Sequence, residues 1–179
     1  RDLVRSRGLG DVYKRQVESL CDTDCGIKWC NDVVLHGKKL CGILTESSLL
    51  PDGSAAWLVV GIGVNVGQAS FPPDIADMAT SLALQELDVS PDALADAILA
   101  QLTAMRTVLT DPAEWLAEYR RRCVNLGRPV RVLRGNTVRQ ATALAIDEQF
   151  GLTVQYENGE TETVRSGEVS VRGLYGYIE

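Results

Sequence analysis

Histidine is nearly absent from this 179-residue chain, His36 being the single one, and no run of eighteen apolar residues occurs anywhere in it. The second absence removes a membrane-spanning helix from consideration, because crossing a bilayer takes about 20 consecutive apolar residues. No secretory signal is read either: the N-terminus is basic, but no apolar stretch follows it. Cysteines stand at 21, 25, 30, 41 and 123, an odd number with no C-x-x-C pair among them. Without paired spacing or a second histidine, the ligands for a zinc site are lacking. The thiols read as unpaired cysteines of a reducing, cytoplasmic compartment. A dinucleotide-binding fingerprint is also missing. Gly61-x-Gly63-x-x-x-Gly67 has the wrong spacing, and no helix follows it directly.

What is present is ordinary globular composition, 45% hydrophobic and 23% charged, with a net charge of −6. That charge is unevenly spread. Residues 1–16 hold five basic and two acidic side chains, which leaves 13 basic and 22 acidic in the remainder. A body this acidic is a poor electrostatic match for nucleic acid. Residues 1–16 have no helical or strand periodicity and read as a non-native segment outside the fold; a genuine disordered basic tail is the alternative.

From Gly26 to Val66 the pattern predicts strands: Ile27–Trp29, Val33–Leu35, Lys39–Glu46 and Trp57–Val66, with a turn at His36-Gly37-Lys38. Two helices follow. Ser90 before Pro91 is a cap with proline at the first helical position. Leu94, Ile98, Leu102, Met105 and Leu109 form one apolar stripe behind it. Asp111-Pro112-Ala113-Glu114 resembles a capping box, and Trp115 and Tyr119 share the face of the helix that it opens. Beyond Gly127-Arg128-Pro129 come short strands at 130–133, 138–146, 152–156, 162–164 and 169–171, and Asn158-Gly159 predicts a type I′ hairpin turn. The expectation is an α+β protein: a mixed sheet with packed helices, then a small SH3-like β-barrel.

Three stretches stand out as candidates for chemistry. With a period of two, Leu58, Val60, Ile62, Val64 and Val66 line one face of a strand and should pack on helices. The opposite face has Gly61, Gly63 and Asn65, a flat patch against which either a ligand or another backbone could lie. In Lys28-Trp29-Cys30-Asn31-Asp32, the adjacent Asn and Asp could simply make a turn. Lys39 enters an otherwise apolar strand, Lys39–Glu46, which an exposed hairpin end explains poorly.

In order and spacing these segments resemble the biotin protein ligase family. Its K-W-P-N-D is matched by Lys28–Asp32 with Cys30 in place of proline, its K-[LI]-x-G-I-L-x-E by Lys39–Glu46, and its G-[IL]-G-[IV]-N by Gly61–Asn65. Gly127–Val130 and Gly167–Arg172 resemble the family's small terminal domain, and the resemblance covers about residues 17–179. It implies residues 17–125 as the C-terminal part of a class II aminoacyl-tRNA synthetase-like catalytic domain and 126–179 as the SH3-like domain. The implied activity is ATP-dependent ligation of biotin to a lysine of a biotin carboxyl carrier protein through biotinyl-5′-AMP, with Mg²⁺ accompanying ATP.

Carried over residue by residue, the resemblance makes Lys39 and Asp32 catalytic. Lys39, Gly42, Leu44, Gly61 and Gly63 line the biotin site, and Lys28, Asn31, Lys39 and Asn65 serve the nucleotide, with Mg²⁺ near Asn31 and Asn65 and no dedicated metal cluster. It also allows a homodimer. The family's Gly/Arg-rich loop, G-R-G-R-x-G-R, should lie well upstream of Lys28, and Arg5–Gly10 matches neither its order nor its spacing, so the chain is read as truncated. A non-catalytic binding module of the same fold and a lipoate ligase are the rival readings.

Overall fold

The computed structural model describes residues 23–52, 54–105, 112–165 and 170–173. Strands β1 (Gly26–Lys28), β2 (Asp32–Leu35), β3 (Lys38–Leu49) and β4 (Ala55–Val64) form one sheet in that order. All neighbours in it are antiparallel, where a mixed sheet was expected. The reason is local: tight turns reverse the chain between successive strands, and strands so joined can pair only antiparallel. The β1–β2 connection, Trp29–Asn31, sets Lys28 directly opposite Asp32. The β2–β3 connection is only His36-Gly37, with φ of 49° and 76°, which is the backbone of a type I′ turn. Lys38, expected in this turn, is the first residue of β3 and pairs with Leu35.

One face of this sheet is the core. Val33, Leu35, Leu40, Cys41 and Ile43 pack against Leu82, Leu94 and Ile98. The last two come from α1 (Pro91–Met105), whose predicted cap is present: Ser90 Oγ accepts from Ala93 N at 3.4 Å. Leu102 is partly buried on the same stripe, while the Met105 side chain and Leu109 lie outside the described residues. The predicted apolar row of β4 meets α1 in part. Val60, Ile62, Val64 and Val66 line a groove of about 450 Å³ with Leu94, Ile98, Leu99 and Leu102. Leu58, expected under a helix, lies beyond it and is exposed.

Helix α2 (Pro112–Arg122) leads into β5 (Pro129–Arg134), β6 (Thr137–Ile146), β7 (Leu152–Tyr156), β8 (Thr161–Val164) and β9 (Ser170–Gly173). These strands make a second antiparallel sheet in the order β8-β7-β6-β5-β9. Asp111 and the Glu114 side chain of the expected capping box lie outside the described residues, as does part of Gly167–Arg172. The predicted type I′ turn at Asn158-Gly159 is a different turn. Only Gly159 has positive φ, 84°, and its N–H donates to Tyr156 O at 2.9 Å. Since Tyr156 N also donates to Glu160 O, the loop has three residues and needs a left-handed conformation only at its last.

The second sheet does not close a core by itself. Val130, Val132, Ala143, Ile146, Leu152, Val154 and Val164 share one buried cluster with Ile27 and Trp29 of the β1 region and with Leu116 and Tyr119 of α2. The strand-end contact is close. Val124 N donates to Ile27 O at 2.9 Å, and a Cβ on Gly26 would meet Val124 Cγ1 at 2.3 Å, so glycine is required where β1 passes this segment.

Candidate active site

The face of the first sheet opposite its core gathers the residues that the sequence singled out. Register places Lys28, Asp32, Gly42 and Gly63 in one transverse row, each opposite the next across β1, β2, β3 and β4. Leu44 and Gly61 form the neighbouring row. Lys39 reaches this face through a β-bulge. Val33 pairs with Cys41 but Val34 pairs with Lys39, so Leu40 is the extra residue. In a regular strand Lys39 and Gly42, three apart, would point to opposite sides. The extra residue restores Lys39 to the side of Gly42 and leaves Leu40 and Cys41 both in the core.

The result is a three-member charge cluster. Lys39 Nζ lies 2.7 Å from Asp32 Oδ1, and Lys28 Nζ lies 3.5 Å from Asp32 Oδ2. Lys28 and Asp32 are buried, whereas 39% of the Lys39 side chain is exposed, so Lys39 is the member open to an incoming group. Burial pulls the Lys28 ammonium below the ordinary lysine range, against the opposing pull of the Asp32 carboxylate. The Lys39 side chain runs over Gly42, where an added Cβ would stand 3.0 Å from both Cε and Nζ. Gly42 is thus the floor beneath the ammonium.

The glycine patch is open. An added Cβ at Gly61 or Gly63 would meet only the carbonyl of its own sheet partner, Leu44 O or Gly42 O, each at 3.8 Å. Among the described residues no strand or helix packs there, and the adjacent Leu44 is 59% exposed. Asn65, just past β4, donates from Nδ2 to Thr80 O at 3.0 Å and Lys39 O at 3.5 Å. Asn31 donates from Nδ2 to Ile43 O. Both amides therefore commit N–H groups to the backbone of this site, and Asn31 Oδ1 accepts from the Cys30 thiol at 3.4 Å. Among the described residues no group of three His, Cys, Asp or Glu side chains could hold a metal ion.

All nine residues singled out in the sequence thus lie on or beside one open sheet face. Sequence reasoning missed the segment that clamps Lys39. Lys39 N donates to Met78 O at 2.8 Å and Thr80 N donates to Lys39 O at 2.9 Å. Thr80 and Ser81 are buried polar residues, and no periodicity marks them. The Trp29–Cys30 peptide, where the resembled motif has proline, is cis. Burial pushes the Cys30 thiol up to about 11 and the Cys41 thiol to about 12, so neither is a ready nucleophile.

Comparison with known proteins bears on the family and the fold. Residues 6–65 match the biotin/lipoate A/B protein ligase family, and residues 126–172 match the biotin protein ligase C terminal domain. The chain is 36% identical over 151 residues to a biotin–[acetyl-CoA-carboxylase] ligase of Mycobacterium tuberculosis, covering 82% of this chain and 53% of that protein. It superposes on the apo biotin protein ligase of Aquifex aeolicus with TM-score 0.79 at 26% identity, covering 93% of this chain and 73% of that one. The structure of that enzyme in complex with biotin and ATP gives TM-score 0.76 at 24% identity, over 95% of this chain and 73% of that one. The chain spans about half the length of the curated relatives it matches. With two family matches in chain order and the fold shared throughout, the chain belongs to the biotin protein ligase family.

Proposed function

We propose that this chain carries out its part of the ATP-dependent ligation of biotin to a lysine of a biotin carboxyl carrier protein, through biotinyl-5′-AMP. The observation that carries the reading is the accessible Lys39 ammonium, held 2.7 Å from Asp32 at the edge of an open glycine face. We read residues 17–125 as belonging to a class II synthetase-like catalytic domain and residues 126–179 as a small SH3-like domain.

The face suits an elongated ligand with an apolar body and an anionic end. Leu44, Gly61 and Gly63 offer a flat apolar bed, and Lys39 stands beyond Gly42 to receive a carboxylate or phosphate. In the first step a carboxylate oxygen of biotin attacks the α-phosphorus of ATP and pyrophosphate leaves. Negative charge then gathers where Lys39 can reach, and a fixed cation lowers that barrier. Asn31 and Asn65 would supply oxygen ligands to Mg²⁺, which neutralises phosphate charge when bound with the nucleotide.

When Lys39 turns from Asp32 to the phosphate, Lys28 remains on Oδ2 and Oδ1 is released. That oxygen can orient the incoming carrier amine and take its proton as nitrogen bonds to the acyl carbon and AMP departs. The Biotin/lipoate match leaves a lipoate ligase as the rival; the match at residues 126–172 favours biotin.

Calorimetric titration with biotinyl-AMP and lipoyl-AMP tests the reading. The biotin adenylate should bind preferentially, and Lys39→Ala should weaken it about ten- to hundredfold, as loss of a charged hydrogen bond does. Equal affinity of parent and mutant, or preference for lipoyl-AMP, would overturn it.

A further inference from the structure

The stretch between Lys28 and Asp32 is held by residues far away in the chain. Trp29 N donates to Asn125 Oδ1 at 2.7 Å, and Trp29 Nε1 donates to Phe150 O at 2.9 Å. Cys30 O accepts from Tyr119 OH at 3.0 Å. Asn125, Tyr119 and Trp29 are all buried; the two bonds made by Trp29 are shielded from water, and the one from Tyr119 to Cys30 is partly so. The Tyr119 ring is itself fixed edge-on against Phe150, centroids 5.4 Å apart. None of these partners belongs to the first sheet, yet they grip the two residues that separate Lys28 from Asn31 and Asp32.

From this we propose that Tyr119 and Asn125 are positioning residues for the charge cluster: through the Trp29–Cys30 backbone they hold Lys28 and Asp32 in register beneath Lys39. The proposal rests on the reading of that cluster as the adenylate site. It makes α2, the turn that follows it and the β6–β7 turn part of the site's framework, although Tyr119, Asn125 and Phe150 do not reach the open glycine patch. The geometry explains why a three-residue turn can hold one end of a ligand face. Its peptide groups are fixed from outside the hairpin, and Lys28 and Asp32 are its closing pair.

The test reads the position of Lys28 without any ligand. Acetylation of Lys28 by acetic anhydride, which transfers one acetyl group and releases acetate, followed by mass spectrometry and expressed relative to Lys38, should be slow in the parent because Lys28 is buried. Tyr119→Phe removes one hydroxyl and keeps the ring; Asn125→Leu removes the accepting oxygen. Each should raise Lys28 labelling roughly three- to tenfold, the population shift expected for loss of one buried hydrogen bond. Asn125→Asp keeps an accepting oxygen and should restore the parent rate. Alkylation of Cys41, buried on the core face of the same sheet, reports general loosening and should not change.

Unchanged Lys28 labelling, or Cys41 labelling rising in parallel, overturns the proposal. Biotinyl-AMP titration of the same proteins separates the two readings. If labelling responds but the parent binds no adenylate, the positioning stands and the assignment of the site falls.

Discussion

Lys39 and Gly42 show how a glycine can be required by its neighbour's side chain. An added methyl at Gly42 meets the far end of a flexible lysine, 3.0 Å away, and no backbone atom lies that close. Such a clash is relieved by moving the lysine, so Gly42→Ala should leave stability within about 0.5 kcal/mol while displacing the ammonium from Asp32. Adenylate affinity should fall about tenfold; an unchanged affinity would show that Lys39 binds from a different rotamer. Gly63 gives the complementary case. Its nearest neighbour is a carbonyl oxygen at 3.8 Å, so a side chain fits without strain, and strands accept β-branched residues well. Gly63→Val should therefore keep or raise the unfolding midpoint in urea and abolish ligand binding by filling the bed. Normal binding by this variant would place the pocket elsewhere.

At the scale of the element, α1 shows which part of an apolar helix does structural work. Leu94 is buried against Leu40, Ile43 and their neighbours, whereas Leu99 is 60% exposed on the rim of the groove facing β4. Truncating a buried leucine costs about 2–5 kcal/mol, and the exposed one costs within about 0.5 kcal/mol. Urea denaturation of Leu94→Ala and Leu99→Ala should show that contrast. Similar losses from both would mean that the groove is filled in solution. The same scale explains the two turns that differ from expectation. Asn-Gly favours a type I′ turn, but at 158–159 a three-residue loop needs only one left-handed residue, while the two-residue loop that requires two is His36-Gly37.

For the whole molecule, the boundary expected near residue 126, at the Gly127-Arg128-Pro129 break, is not a boundary in packing. The second sheet buries its inner residues against Ile27, Trp29, Leu116 and Tyr119, which lie before that boundary. Residues 126–179 alone would expose this surface, and a segment of that size has little hydrophobic stabilisation to spare. The isolated segment should therefore show no cooperative thermal transition by circular dichroism, whereas residues 23–179 should show one; a sharp transition in the short segment would give the sheet a core of its own.

The amino-acid pattern was enough for what depends on near neighbours. The alternation along β4, the Ser90 cap, the hairpin breaks and the ordered Lys28–Asp32, Lys39–Glu46 and Gly61–Asn65 segments all read directly from residue type and spacing. Tertiary structure alone decided the rest. A bulge at Leu40 turns Lys39 toward Gly42 because one extra residue reverses a period of two. The grip on Trp29 and Cys30 joins residues 89 to 121 positions apart, a separation over which no local preference acts.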